Sequence, residues 1–445
     1  MRVIAKGDSN VIKLLGKQKV KPDFPYRLMR YTLRQECDKG LLLHNVITGK
    51  LILLDSAGAK RLDSLPGAFT DDLSELIEDY FVVPDVFDEQ KLVDTLRMLA
   101  KRVLTPEGVN SYVILPTTCC NARCFYCYES QYEHINMSNE TTDRLIEYII
   151  THKGGNKVHI QWFGGEPLLG IKRIDQISQA LSEKGIEYDS NMISNGYLFD
   201  EEIVKRAVES WHLRNIQITL DGTEEIYNRT KAYVNPSENP YRRVLRNIQL
   251  LIENGIHVGI RMNLDQHNYE NLDSLITEIH DDFGNNKHLR AYVHVVYENE
   301  GFDPMFRDEK TAKSLFKRQV QLNSRLEQLG ITKASNRSLP KLRVHSCMAD
   351  SENSVAVYPD GRLFKCEHFA DDDVFGSIFV EEKKDSSLKK YQEAAKRVQC
   401  NQCELYPSCL ILENCEGLKD RNSIVCGYDV EKETRKLLSF AAQYD

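Results

Sequence analysis

Hydrophobic residues along this chain change their period more than once. Near the front they form two extended runs, "PYRLMRYTLRQE" and "GLLLHNVITGKLILLD", the second with a "TGK" turn signal between its apolar halves. Two segments of helical period follow, "LSELIEDYFVV" and "DEQKLVDTLRMLAKRV". In the latter, Leu92, Val93, Leu96, Met98, Leu99 and Val103 lie close to helical spacing. From about residue 110, strand-like and helix-like stretches alternate. The strands are expected at 111–115, 157–163, 188–194, 214–220, 257–263 and 291–297. Between them lie "NETTDRLIEYIITHK", "IDQISQALSEKG", "DEEIVKRAVES", "PYRRVLRNIQLLIENG" and "NLDSLITEIHDDFG", three of which end in Gly where a helix C-cap falls. This alternation predicts a parallel sheet, either an open doubly wound sheet or a partial (β/α) barrel. In both architectures the site belongs at the C-terminal ends of the strands. Residues from about 340 to 430 lose the pattern, and a helical segment, "EKETRKLLSFAAQ", closes the chain.

The length of 445 residues fits two to four domains. We divide them as an α+β domain at 1–105, the alternating region at 106–335 and the irregular region with its closing helix at 336–445. A net charge of −8 argues against a nucleic-acid backbone as the main partner. The N-terminus lacks the apolar stretch of a signal peptide, and no apolar run is long enough to span a membrane. A cytoplasmic, reducing location is therefore expected. There, twelve cysteines read as metal ligands or catalytic thiols rather than a disulfide framework.

Their placement sharpens that reading. Cys37 stands alone, four cysteines fall in "CCNARCFYC" at 119–127, and seven lie between Cys347 and Cys426. Cys120, Cys124 and Cys127 have the spacing C-x3-C-x2-C directly after the first strand of the alternating region. Three thiolates this close can hold three irons of a four-iron cluster and leave the fourth open to a substrate or cofactor. A zinc loop is the alternative for the spacing taken alone. Cys119 falls outside the pattern and reads as a buried free thiol. Phe125 and Tyr126 lie within the loop and can shield it.

Three further motifs follow successive strands: "GGEP" at 164–167, "SNG" at 194–196 and "ITLDG" at 218–222. Together with the cysteine loop, they resemble the radical S-adenosylmethionine (SAM) enzymes. The resemblance implies a partial (β/α)6 TIM-like barrel. It also implies that Gly164, Gly165, Glu166 and Pro167 receive the SAM amino group, largely through backbone, and that Ser194 and Asn195 contact the ribose. Thr219 would be the hydroxyl-bearing residue of the fourth strand, and Arg229 or Lys231 the partner of the SAM carboxylate. Arg261 and Asn263 complete the pocket. Glu298, just past the sixth strand, is the acid nominated as a base there, with a solvated loop carboxylate as the other reading.

The C-terminal cysteines resemble the SPASM extension of some radical SAM enzymes. "CMADSENSVAVYPDGRLFKC" carries Cys347 and Cys366, "CNQCELYPSC" carries Cys400, Cys403 and Cys409, and Cys415 and Cys426 follow. A zinc ribbon is the alternative for the C-x2-C pair. "LILEN" separates Cys409 from Cys415 by five residues where the family usually has three, which bears on the geometry around Cys415. The resemblance implies a first auxiliary cluster on Cys347, Cys366 and Cys415 and a second on Cys400, Cys403, Cys409 and Cys426. With the barrel cluster, that makes three 4Fe-4S clusters besides SAM. The first auxiliary cluster is one thiolate short, and His345, Asp350 and Glu352 are nearby donors. SPASM enzymes mostly modify peptides. A β-rich N-terminal domain like that of ribosomal-peptide (RiPP) maturases, winged-helix-like, would bind a precursor's leader as an added strand along "GLLLHNVITGKLILLD". The expected partners are a precursor peptide and an external one-electron reductant of flavodoxin or ferredoxin type. Anaerobic sulfatase-maturing enzymes are the runner-up, and an iron–sulfur electron-transfer protein without SAM chemistry is the reading from another class.

Overall fold

The apolar runs near the front of the chain become the middle of a sheet. The structure, a computed structural model, describes residues 1–105, 107–155, 157–296, 309–332, 339–345, 347–366, 374–380, 402–409 and 430–442. The N-terminal domain contains strands β1 (Arg2–Ala5), β2 (Tyr26–Leu28), β3 (Thr32–Cys37), β4 (Gly40–Asn45), β5 (Leu51–Leu54) and β6 (Val82–Pro84). Four of these form an antiparallel sheet in the order β1-β5-β4-β3. β4 and β5 are the expected hairpin. Every residue of β4 after Gly40 is buried, which is why the run lacks alternation. Because both strands are internal, "GLLLHNVITGKLILLD" does not offer the free edge expected of it. The outer strands are β1 and β3.

Helices α1 (Ser9–Leu15), α2 (Ser56–Leu62), α3 (Ser74–Glu78) and α4 (Glu89–Leu104) complete this domain. The helix expected over "LSELIEDYFVV" stops at Glu78. Tyr80 takes a left-handed φ of 57°, and β6 then pairs with β2. Asp88 caps α4 by accepting the Lys91 N–H at 2.9 Å.

The second unit is built on β7 (Ser111–Ile114), β8 (Lys157–Trp162), β9 (Glu187–Ser194), β10 (Leu213–Thr219), β11 (His257–Leu264) and β12 (Leu289–Val295). They pair in parallel and in chain order. Helices α5 (Asn139–His152), α6 (Ile171–Glu183), α7 (Glu201–Glu209), α8 (Glu224–Lys231), α9 (Pro240–Glu253) and α10 (Leu272–Phe283) form the connections. A doubly wound sheet needs a reversal of strand order, and none occurs here. Successive right-handed crossovers therefore put the helices on one face, as in a barrel. Alternate strand residues such as Ile160, Trp162, Met192, Ile216, Ile218, Ile260 and Val293 pack against the helices in one large core. The intervening residues face the lumen. It is apolar beside β7, where Val113, Leu115 and Phe163 cluster. It turns polar toward β12, where the Tyr292 hydroxyl donates to Gln217 at 2.5 Å.

The barrel is open at β12. Asn323, on the unforeseen helix α11 (Glu309–Gln328), accepts from Val293 N at 3.1 Å and donates to its carbonyl at 3.0 Å. The Thr332 hydroxyl accepts the Ala291 N–H at 3.2 Å. Side chains thus take the place of a neighbouring strand at this edge.

The described residues of the C-terminal region pack against both units. The "PDGRLFKC" hairpin forms β13 (Ser354–Val357) and β14 (Arg362–Phe364), with β15 (Val374–Ser377) beyond. β13 pairs in parallel with β7, so the hairpin continues the barrel sheet. By contrast, Leu339, Leu342, Leu405, Tyr406 and Leu437 of helix α12 (Val430–Ala441) share a core with Tyr31, Leu33, Val93 and Leu96 of the N-terminal domain. Arg97 on α4 clasps this junction, donating to the carbonyls of Tyr406, Pro407 and Cys409 at 2.5, 3.1 and 2.8 Å. Its guanidinium also lies over the Tyr406 ring.

Candidate functional site

The cysteine loop leaves the C-terminal end of β7 and is tethered on several sides. On the β8 side, Glu166 N donates to the Cys119 carbonyl at 2.9 Å. A Cβ on Gly164 would stand 2.3 Å from the Thr117 carbonyl oxygen, and one on Gly165 2.3 Å from that of Cys119. The glycines of "GGEP" are therefore required by the approach of the loop's own backbone. On the β9 side, Asn195 donates its amide to the Asn121 side chain at 2.7 Å. Beyond β10, Arg123 N donates to the Lys231 carbonyl at 2.9 Å and Val234 N to the Asn121 carbonyl at 2.8 Å.

Glu166 is fully buried. Its carboxylate accepts from Ser194 Oγ at 2.9 Å, Asn195 N at 2.9 Å and Leu168 N at 3.2 Å. Burial pushes its pKa up to about 7 against these donors. The acid thus welds the β8 and β9 loops together, and Pro167 behind it starts a buried turn. Ser194 and Glu166 are turned toward each other.

Lys231 is drawn inward as well. Its ammonium lies 2.9 Å from Asp221 Oδ2 and 2.7 Å from the Tyr126 hydroxyl, which donates to the same Asp221 oxygen at 2.6 Å. Burial works against the ammonium, but Asp221, Cys124 and Tyr126 outweigh it and hold its pKa well above the ordinary lysine value. Arg229 lies exposed on α8. Thr219 and Arg261 are register partners on β10 and β11 and face the lumen, where Arg261 Nε donates to Asn263 Oδ1 at 2.8 Å. Asn263 is buried beneath them; its N–H points toward Asp221 at 3.4 Å, and Asn268 donates to its carbonyl at 2.6 Å.

The three thiols of C-x3-C-x2-C act on one another. Burial pushes Cys120 up to about 12, with Glu166, Cys124 and Cys127 adding to it. Burial also lifts Cys127 to about 11, with Glu129 and Cys124 adding. Cys124 is raised by burial too, and the Lys231 charge pulls the other way. A bound metal reverses this by taking the thiolate directly. The donors are soft sulfur, which suits iron–sulfur or zinc chemistry rather than a hard cation. Among the described residues no three His, Cys, Asp or Glu side chains are grouped to hold a single metal ion. A four-iron cluster takes one thiolate per iron, and the mutual influence of the three thiols fits that demand.

Of the C-terminal cysteines, Cys347 is exposed before β13 and Cys366 follows β14 beside Tyr132. Cys403 and Cys409 lie on the segment docked against α4. Cys400, Cys415, Cys426 and Glu298 lie outside the described residues. His345 has its Nδ1 3.1 Å from the Asp350 carbonyl and its Nε2 3.4 Å from Thr105 Oγ1. Sequence reasoning missed Asn121 and Asp221. The acid of "LDG" at a strand end was the available signal, but that tripeptide is commonplace.

Residues 114–279, from β7 into α10, match the Radical SAM superfamily. The radical SAM cyclopropyl synthase TigE of Paramaledivibacter caminithermalis is 22% identical over 221 residues, 45% of each chain. The Fe-coproporphyrin III synthase of Methanosarcina barkeri is 26% identical over 185 residues, 41% of this chain and 43% of that protein. The chain thus spans less than half the length of these two relatives. Among solved structures, anSMEcpe with bound AdoMet has a TM-score of 0.54 at 16% identity, covering 75% of this chain and 99% of that one. The same protein with AdoMet and the Kp18Cys peptide matches with a TM-score of 0.54 at 15% identity and the same coverage. At these identities the likeness is one of fold. No helix among the described residues is long and apolar enough to cross a membrane.

Proposed function

We propose that the chain is a cytoplasmic radical SAM enzyme that modifies a peptide. The observation that carries this reading is the tethered Cys120–Cys124–Cys127 loop at the C-terminal mouth of a partial barrel. Cys120, Cys124 and Cys127 would hold a four-iron cluster there, which with SAM would supply one-electron chemistry able to take a hydrogen atom from the substrate. The chain's own residues bind and orient. The Gly164–Gly165 backbone borders the SAM amino group, Asn195 and Thr219 the ribose, and Arg261 or Arg229 the carboxylate. Ser194, Glu166 and Lys231 hold the walls of this pocket through bonds to other protein groups. The lumen between Gln217, Tyr292 and Arg261 takes the reacting part of the substrate and excludes water around it.

The peptide assignment rests on the N-terminal domain and on the peptide-bound state of a fold neighbour. The relatives' names alone span a cyclopropyl synthase and a porphyrin synthase. In this reading the N-terminal domain, winged-helix-like in role, receives a precursor's leader along β1, an outer strand. The C-terminal region serves as a SPASM module. Its seven cysteines would hold two auxiliary clusters suited to accept an electron as a C–C or thioether cross-link closes, and a flavodoxin or ferredoxin would be the external reductant. The test is 5′-deoxyadenosine formation after anaerobic reconstitution and dithionite reduction. Cys120→Ala, Cys124→Ala and Cys127→Ala should each abolish it, and Cys119→Ala should leave it largely intact. Full activity in Cys124→Ala would overturn the assignment.

A further inference from the structure

The Lys231–Asp221–Tyr126 group lies behind the cysteine loop, and nothing in the proposed reaction uses it directly. Its ion pair has side chains only 4% and 1% exposed. The ammonium also lies 5.3 Å from the centre of the Tyr126 ring and 5.9 Å from that of Tyr227. Tyr227 continues outward through Tyr233, 3.0 Å away, which donates to the Asn195 carbonyl at 3.3 Å. One shell of bonds therefore runs from the cysteine loop behind Cys124 to the SNG turn. The Lys231 carbonyl is itself a tether of that loop. The Tyr126 hydroxyl lies against the Cys124 thiol as well as against Asp221 and Lys231.

A buried ion pair is weak evidence for stability, because desolvation cancels much of the attraction. Its fixed charges are screened little, however, and they act on whatever charge develops at Cys124. Resting on the cluster reading above, we infer that Lys231 and Asp221 are positioning residues that set the reduction potential of the cluster bound by Cys120, Cys124 and Cys127. Reduction adds one negative charge to that cluster. The Lys231 cation favours the reduced state and the Asp221 anion opposes it, while Tyr126 fixes both relative to the Cys124 sulfur.

The opposite signs of the two charges make the inference testable. Holoenzyme variants K231M and D221N would be titrated electrochemically without SAM. Electron paramagnetic resonance would follow the loop cluster, identified as the signal missing from Cys124→Ala. The expected result is a more negative potential in K231M and a more positive one in D221N, with K231R close to the wild type. Shifts of the same sign, or none, in K231M and D221N with the cluster assembled would overturn it. Should K231M fail to take up iron, D221N above the wild type with K231R unchanged supports the inference, and D221N at or below it refutes it. Loss of the cluster from all three variants also refutes it and leaves a purely structural role. If the wild type itself holds no cluster on this loop, the cluster reading fails instead.

Discussion

Glu166 illustrates how the partners a fold supplies set the behaviour of a single acid. An acid between two glycines and a proline suggests an anchor for a cationic ligand. In the folded chain the carboxyl is instead turned inward, toward Ser194, Asn195 and Leu168. Its ordinary pKa of 4.5 rises to about 7 through burial. Between those values the native state keeps a proton that the unfolded chain has released, so this group's contribution to stability is lost as pH rises from about 5 to 7. His44 acts in the other direction: burial lowers its pKa to about 4, and its contribution to stability is lost as pH falls from its ordinary 6.5 toward 4. Comparison with Glu166→Gln isolates the acid. In urea titrations at pH 5, 6 and 7, the wild type should lose on the order of 2–3 kcal/mol relative to the variant across that interval. Parallel profiles would mean that the carboxyl is not buried as described.

Among the elements, α4 does more than its amphipathic pattern announces. The sequence places Arg97 on a helix turn among apolar neighbours, with nothing to mark it as special. Tertiary contact makes it the clasp for the "CELYPSC" segment, and the Tyr406 hydroxyl answers by donating to Asp94 at 2.8 Å. Arg97→Ala removes hydrogen bonds to four carbonyls and a cation–π contact at once. We expect a loss of about 2–4 kcal/mol in the unfolding of this unit and a fall in iron per chain. Arg97→Lys should recover only part of it, since an ammonium lacks the Nε–H that donates to the Arg343 carbonyl and the planar face that lies over the Tyr406 ring. Denaturation followed by tryptophan-independent far-ultraviolet dichroism, together with iron assay, reads both. β4 and β5 carry the matching lesson. Their continuous apolar run signalled a strand, but only the arrival of β1 and β3 on either side made them internal.

At the scale of the whole molecule, described residues of the C-terminal region pack against each of the two units before them. Residues 1–105 share a core with Leu405, Tyr406 and Leu437, and β13 is a strand of the barrel sheet. Deleting residues 1–105 therefore should not yield a working barrel with only leader binding lost. The expected product is poorly soluble and deficient in iron, because Leu405, Tyr406 and Leu437 lose their cover. A soluble truncation that still cleaves SAM would show that the shared core is dispensable. The sequence by itself determined what depends on local period and short spacing. That covers where the barrel strands fall along the chain, each an apolar run between helical stretches, and the cysteine loop after β7, whose ligands lie within eight residues. Only the tertiary structure decided which groups consume each other's charge. Lys231 turns to Asp221, Glu166 to Ser194 and Asn195, and the glycines of "GGEP" answer to the Cys119 backbone, because these partners come from different strands and no local pattern encodes their meeting.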